Sequence, residues 1–234
     1  MEISSLDQIE FFNAVIVGRI QEVRALIQKG VNVNSKDKCG ETPLPFAVRN
    51  GKEAVVEILL KKGAKIDETD SIGMTSLQIA AFSDQLSSAK ILLKHGADTE
   101  IKGRFSYTPL HLAIQKDNVS IVKLLLKYGA DVNSLSNGGL TPLMRTIGSK
   151  KHVISEVLLQ NGAKPEVKGK FGPTVHFTIS QDYMKSFELL LRYGASLNIK
   201  NEYVETPLEV ALTKVYNTDH KLHFLKVIFY HQHQ

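Results

Sequence analysis

Apolar positions recur along the chain in pairs of short runs, separated by polar stretches that contain glycine. In NVSIVKLLLKYG, residues 118–129, the side chains of Ile121, Val122, Leu125 and Leu126 fall at helical spacing. The preceding run, TPLHLAIQ, also places small or apolar residues on one side of a helix. The following stretch, ADVNSLSNGGL, is polar and suits a turn or hairpin. The pattern predicts two helices joined by a hairpin to the next two.

This unit repeats along most of the chain. A threonine precedes the first run of each unit and a glycine follows the second run. Both series advance by 33 residues four times and then by 32 residues once. One such unit cannot bury its apolar side alone, whereas stacked neighbours can. The members are Thr42, Thr75, Thr108, Thr141, Thr174 and Thr206, and Gly30, Gly63, Gly96, Gly129, Gly162 and Gly194.

The residues at the ends of the predicted helices are ones that commonly begin and end helices. At Thr42-Pro43 and Thr108-Pro109 we expect the hydroxyl to cap the helix and the proline to occupy its first position. The second run ends in Lys or Arg followed by glycine, which suits the helix dipole and a left-handed closing residue.

The segment YTPLHLAIQKDNVSIVKLLLKYGADVN resembles the ankyrin repeat family, as do the shorter pieces GETPLPFA, LLKHGAD and ETPLEVA. The resemblance runs from about residue 7 to about residue 212. It implies an all-α solenoid of antiparallel helix pairs with projecting β-hairpin or turn fingers, in about seven repeats. It also implies a concave binding face made of finger tips and first helices. We predict one domain, 1–234, with atypical ends at 7–36 and 201–234 and repeats at 37–69, 70–102, 103–135, 136–168 and 169–200.

Some units depart from the family pattern. Val175 stands where proline is expected, His176 where leucine is expected, and Thr146 where alanine is usual. We expect these substitutions to loosen the stack locally, with His176 a tolerated core residue. By resemblance, His111 of the TPLH motif bonds the backbone of a neighbouring hairpin. The last unit has an apolar ending, for which we expect contact with a further segment or partner.

The finger tips are the candidate binding site. The residues three positions before the threonines include Ile72, Phe105, Phe171 and Tyr203, where a structural repeat would carry polar side chains. Aromatic and arginine side chains dominate binding hot spots, and exposed apolar rows mark partner sites. Packing between neighbouring fingers is the alternative explanation. The complete predicted set is Ile72, Met74, Phe82, Arg104, Phe105, Tyr107, Leu140, Lys170, Phe171 and Tyr203.

Composition narrows the class of protein. Of the 234 residues, 43% are hydrophobic and 23% charged, which is typical of a globular chain and not of a disordered one. A single cysteine, Cys39, cannot form an intrachain disulfide and favours a reducing compartment. The N-terminal residues do not resemble a signal peptide, and no apolar run is long enough to span a membrane. We therefore expect a cytoplasmic protein, with the nucleus left open, and no membrane insertion.

The sequence offers little chemistry for catalysis. His220 and His223, or His231 and His233, are close in sequence, but no cysteine or carboxylate cluster completes a metal site. Nucleotide-binding glycine motifs are missing. We predict no cofactor, no metal and no enzymatic activity.

We predict instead a monomeric protein–protein interaction module, acting as an adaptor, a scaffold or an inhibitor. The net charge of +5 keeps one alternative open. Basic and aromatic residues at Arg104-Phe105 and Lys170-Phe171 could hold nucleic acid or another anionic ligand.

Overall fold

A computed structural model of the chain describes residues 4–103, 106–166, 168–169, 172–215 and 218–232. Its described residues contain fourteen helices in seven pairs and one hairpin of two-residue strands. The predicted all-α class is confirmed. The helices are α1 Ser5–Val17, α2 Ile20–Lys29, α3 Pro43–Arg49, α4 Glu53–Lys61, α5 Ser76–Phe82, α6 Leu86–Lys94, α7 Pro109–Gln115, α8 Val119–Lys127, α9 Pro142–Gly148, α10 His152–Gln160, α11 Thr174–Ser180, α12 Met184–Arg192, α13 Pro207–Lys214 and α14 Thr218–Gln232; the strands are β1 Lys168–Gly169 and β2 Gly172–Pro173.

The helices fall into two compact units, Met1–Asp131 with α1–α8 and Val132–Gln234 with α9–α14. In the first unit the first helices α1, α3, α5 and α7 pack side by side, and the second helices α2, α4, α6 and α8 form a row of their own. In the second unit α11 packs on α13, and α12 packs on both α10 and α14. The leucines two residues after the caps, Leu44, Leu77 and Leu110, are at most 1% exposed and form the centre of the first unit.

Three of the periodic threonines cap the helices that follow them. The hydroxyls of Thr75, Thr141 and Thr206 each accept a hydrogen bond from the backbone N–H three residues later. Thr42 makes no such bond, so the prediction of a capping hydroxyl there is wrong. The reason is covalent, because the third residue after Thr42 is Pro45, which has no N–H to donate. At the other end, Gly63 has a φ of 83°, the left-handed closing conformation.

In one repeat, the first helix begins one residue earlier than the sequence pattern predicts. Helix α11 begins at Thr174 and its N-cap is Pro173, so Thr174 is not the counterpart of the capping threonines. The missing residue therefore lies in the finger between Gly162 and Pro173, and Val175 takes the usual leucine position. The expectation that proline and leucine are replaced at Val175 and His176 is wrong, because the deletion moves both by one position.

His176 consequently occupies the position that His111 holds in its own repeat. Its Nε2 atom is 2.9 Å from the carbonyl oxygen of Glu205 and donates to it, across to the next finger. Gln78 does the same in the first unit, donating through Nε2 to the carbonyl of Tyr107 at 2.8 Å. His176 thus joins two repeats through a hydrogen bond, a role that goes beyond the tolerated core substitution predicted from the sequence. The ring of His111 accepts at Nδ1 from the N–H of Thr108 in its own repeat, at 3.3 Å.

Thr146 is fully buried, and its hydroxyl is satisfied. It donates to the carbonyl of Leu143 at 2.8 Å and accepts from the hydroxyl of Ser155 at the same distance. A buried hydroxyl is costly only when it lacks a partner. Because its hydroxyl is paired, Thr146 does not loosen the stack through an unpaired buried polar group.

The apolar ending of the chain forms α14. Phe224 and Ile228 are fully buried, and the ring of Phe224 meets that of Phe187 edge-on at 5.1 Å. Leu222, Phe229 and Tyr230 stay more than half exposed. Part of the apolar ending thus completes the second unit, and the contact predicted for the rest with a further segment or partner stays a prediction.

Candidate functional site

The second finger holds its tip residue in a fixed backbone. The carboxylate of Asp70 accepts from the N–H groups of Ile72 at 3.1 Å and Met74 at 2.8 Å, and so closes the turn. The side chain of Ile72 is 55% exposed at this tip, whereas Met74 is half-buried. An apolar side chain on a rigid turn has little conformational entropy left to lose on binding.

Charged side chains join the first finger to the second. The Arg49 guanidinium contacts Asp70 at 3.0 Å and Glu41 at 3.4 Å. The hydroxyl of Ser71 donates to Glu41 at 2.5 Å. Both carboxylates are buried, so these contacts supply the partners that buried charges need, and they connect the two fingers.

Phe82, at the end of α5, presents its ring on the side predicted for binding. The ring is 40% exposed, and the ammonium of Lys116 lies 3.9 Å from its centre. Such a cation–π contact stabilises the ring in the exposed position. Tyr107, by contrast, is half-buried and stacks on the ring of His111 with centres 5.7 Å apart. The Tyr107 ring therefore stacks within its own repeat.

In the second unit, Leu140 lines a cavity of about 230 Å³ together with Met144, Arg145 and Phe177. The last finger carries Tyr203, which is exposed and has the ammonium of Lys214 at 5.0 Å from its ring centre. Its turn is closed by Asn201, whose side-chain oxygen accepts from the N–H groups of Tyr203 and Glu205 at 2.9 Å each.

Four predicted site residues fall outside the described residues: Arg104, Phe105, Lys170 and Phe171. The basic and aromatic pairs on which an anionic-ligand site would depend are made of these four. Their roles stay predictions.

A groove of about 630 Å³ in the first unit, which we call the α1 groove, was not predicted from the sequence. Ile9, Phe12 and Ile16 of α1 form one wall, and the ring of Phe46 meets that of Phe12 edge-on at 5.7 Å. Their spacing along α1 is the signal that could have revealed this wall. The complete lining is Ser5, Gln8, Ile9, Phe12, Asn13, Ile16, Lys36, Asp37, Lys38 and Phe46.

The first finger contributes the charged edge of the α1 groove. Lys36 is tied to Glu68 at 2.7 Å, and this contact is the main cause that holds the pKa of Glu68 below its usual value. Asp37 directs its carboxylate into the finger, where it accepts from the N–H groups of Cys39 at 2.8 Å and Glu41 at 2.9 Å. Lys38 is exposed and makes no ion pair with the described residues.

Other kinds of site find no support within the part of the chain that the structure describes. Its His, Cys, Asp and Glu side chains form no group of three or more that could hold a metal ion. Its longest helices are too short or too polar to cross a lipid bilayer.

Comparison with known proteins gives consistent results. Residues 11–103 match a family model described as ankyrin repeats in three copies, and residues 92–144 match one for many copies. The chain is 40% identical over 50 residues to an ankyrin repeat protein of Fowlpox virus (strain NVSL). That match covers 21% of this chain and spans 36% of the viral protein.

Solved structures share the fold over almost the whole chain. The ankyrin repeat domain of Bcl-3, a member of the IkappaB family, superposes with a TM-score of 0.84 and 25% identity, covering 93% of this chain and 97% of that one. The ankyrin repeat domain of human ASB11 superposes with a TM-score of 0.70 and 24% identity, covering 92% and 96%.

The two family matches together cover more than half of the chain, and the helix pairs, turns and capping residues agree with them. The chain belongs to the ankyrin repeat family. Ankyrin repeat domains are a general protein–protein interaction module, so the predicted class of function is established at that level.

Proposed function

We propose that this chain binds a partner protein through the surface formed by its fingers and first helices, without catalysing a reaction on it. In this role it acts as an adaptor, a scaffold or an inhibitor. The proposal extends the general property of the family to a particular surface of this chain.

The observation that carries the proposal is the exposure of Ile72 and Phe82 on rigid supports. Asp70 and Arg49 hold the finger of Ile72, and Lys116 holds the ring of Phe82. Rigid, exposed apolar side chains surrounded by charged groups are typical of binding hot spots. Packing between neighbouring fingers explains such residues less well, because that packing would bury them.

The experiment is affinity capture from cell lysate with the whole chain and with an Ile72→Asp/Phe82→Asp variant. We expect a defined set of proteins to be lost with the variant, because a charge at each position opposes burial against a partner. Tyr128→Asp is the matched control, since Tyr128 is also 40% exposed but lies at the end of a second helix, α8.

All variants are first compared by thermal melting, so that a loss of capture is not a loss of folding. Equal capture by the Ile72/Phe82 variant and the wild-type chain would contradict the proposal. Capture that requires nucleic acid and declines steeply with salt would favour the anionic-ligand alternative.

A further inference from the structure

The α1 groove differs from the finger tips in being concave and largely apolar. We propose that it binds an amphipathic helix of a partner protein, with bulky apolar side chains on one face and an acidic residue placed against Lys38. This inference rests on the proposed function and specifies the chemistry of one partner segment.

The apolar wall of the α1 groove has the spacing of a helix–helix contact. Ile9, Phe12 and Ile16 are three and four residues apart, so they form one ridge along α1. Ile9 is 56% exposed, and Phe12 and Ile16 are partly exposed. The other face of α1 buries Phe11, Ala14 and Val15 in the core. The ridge therefore faces the groove. Phe12 contacts Phe46 of α3 at the floor of the groove, and Ile9 stays the most exposed member of the ridge.

The dimensions of the α1 groove match one face of a short helix. From Ser5 to Ile16, α1 extends about 16 Å at 1.5 Å per residue. The volume of about 630 Å³ lies in the range of roughly 300–1,000 Å³ typical of sites that enclose a drug-sized molecule. That space accepts a few side chains but not a whole helix. An amphipathic helix that inserts only its apolar face is the mode of recognition that this shape fits.

The position of Lys38 on the first finger determines where the partner helix should carry its acidic residue. Gly18 directly follows α1, and Lys52 lies three residues beyond the end of α3. A Cβ atom on Gly18 would lie 2.8 Å from the side chain of Lys52, so the C-terminal ends of α1 and α3 are neighbours. The first finger, which leads into α3, therefore lies toward the N-terminal end of α1.

At that end the charges of Lys36, Glu68 and Asp37 are already engaged, and the ammonium of Lys38 is the charge left for a partner. An acidic side chain is its complement.

The test is selection of helical peptides displayed on phage against the whole chain. Peptides of about 15 residues are used because shorter isolated helices are marginal in water. We expect the enriched sequences to carry bulky apolar residues at helical spacing with an aspartate or glutamate at one end. Enrichment no greater than on an unrelated protein, or enriched sequences without that pattern, would overturn the proposal.

Two variants locate the bound peptide. Ile9→Asp is expected to raise the Kd of a selected peptide about tenfold or more, as for an interface hot spot. Leu6→Asp, on the same helix, is the matched control because Leu6 is 61% exposed but does not line the groove. Equal effects of the two substitutions, with melting unchanged, would contradict binding in the α1 groove.

A charge exchange tests the role of Lys38. Lys38→Glu should weaken a selected acidic peptide severalfold, and a peptide with lysine in place of its acid should regain affinity for this variant. Absence of that compensation refutes the assigned orientation. If no peptide binds while capture still depends on Ile72 and Phe82, the proposed function stands and this inference fails.

Discussion

Val204 is held in a backbone conformation that valine strongly disfavours. Its φ is +64°, in the left-handed region, and β-branched residues are rarely found there. Four other fingers place Gly40, Gly73, Ser106 or Gly139 at the same distance before the cap, all with positive φ. We predict that Val204→Gly stabilises the chain.

The magnitude follows from two opposing contributions. A left-handed conformation costs an L-residue about 1–2 kcal/mol, which glycine avoids. Glycine loses about 0.5–1 kcal/mol more backbone entropy on folding than alanine. The valine side chain is 64% exposed, so its removal gives up little buried area. With the middle of each range, the difference is a net stabilisation of about 0.75 kcal/mol.

Urea unfolding followed by circular dichroism measures this difference, provided that the slope m is unchanged. Gly139→Val is the reciprocal control. Gly139 has a φ of +66°, and a Cβ atom there would meet no other atom within 4 Å, so its substitution costs only conformational strain. The reasoning is refuted if Val204→Gly is neutral or destabilising, or if Gly139→Val is tolerated without loss.

The remaining predictions concern pH. The ammonium of Lys29, 2.5 Å from the carboxylate of Asp7, is the main cause that lowers the Asp7 pKa from 3.8 to about 2. The folded state thus binds this proton less readily than the unfolded state, and the stabilisation present above about pH 4 is lost as the pH falls toward 2. The Asp7→Asn variant should be less stable than the wild-type chain at neutral pH. Its urea unfolding midpoint should also decrease less as the pH falls from about 4 to 2. Burial lowers the pKa of His176 below its usual 6.5, so stability should decrease as the pH falls from that value. His176→Gln, which places the residue type of Gln78 at this position, should keep the bond to Glu205 and reduce the loss of stability as the pH falls below 6.5; an unchanged pH dependence would contradict this cause.

Exposure decides which predicted site residues are available to a partner, and the sequence cannot supply it. Ile72 and Tyr107 lie in equivalent fingers, and both were predicted to bind. The structure leaves Ile72 exposed and stacks Tyr107 on His111. Ile72 lies three residues before its cap threonine and Tyr107 one residue before, the position at which Met74 is also half-buried, so the folded turn directs the two side chains to different environments.

The α1 groove is a second example. The ridge of Ile9, Phe12 and Ile16 can be read from the sequence, but a groove requires Phe46 and the first finger to lie opposite it. These parts are at least 20 residues from the ridge along the chain, and only the packing of α1 on α3 brings them together.

The sequence by itself determined the repeat, the helix pairs and most of their ends, because caps, closing glycines and apolar spacing act within a few residues. Its periodic markers also identified the family. Only the tertiary structure located the deletion in the finger before Pro173, since Thr174 resembles a capping threonine in sequence, whereas the helix begins at Thr174 and its cap is Pro173. Packing against the next repeat settles that register, with His176 bonded to a carbonyl 29 residues away.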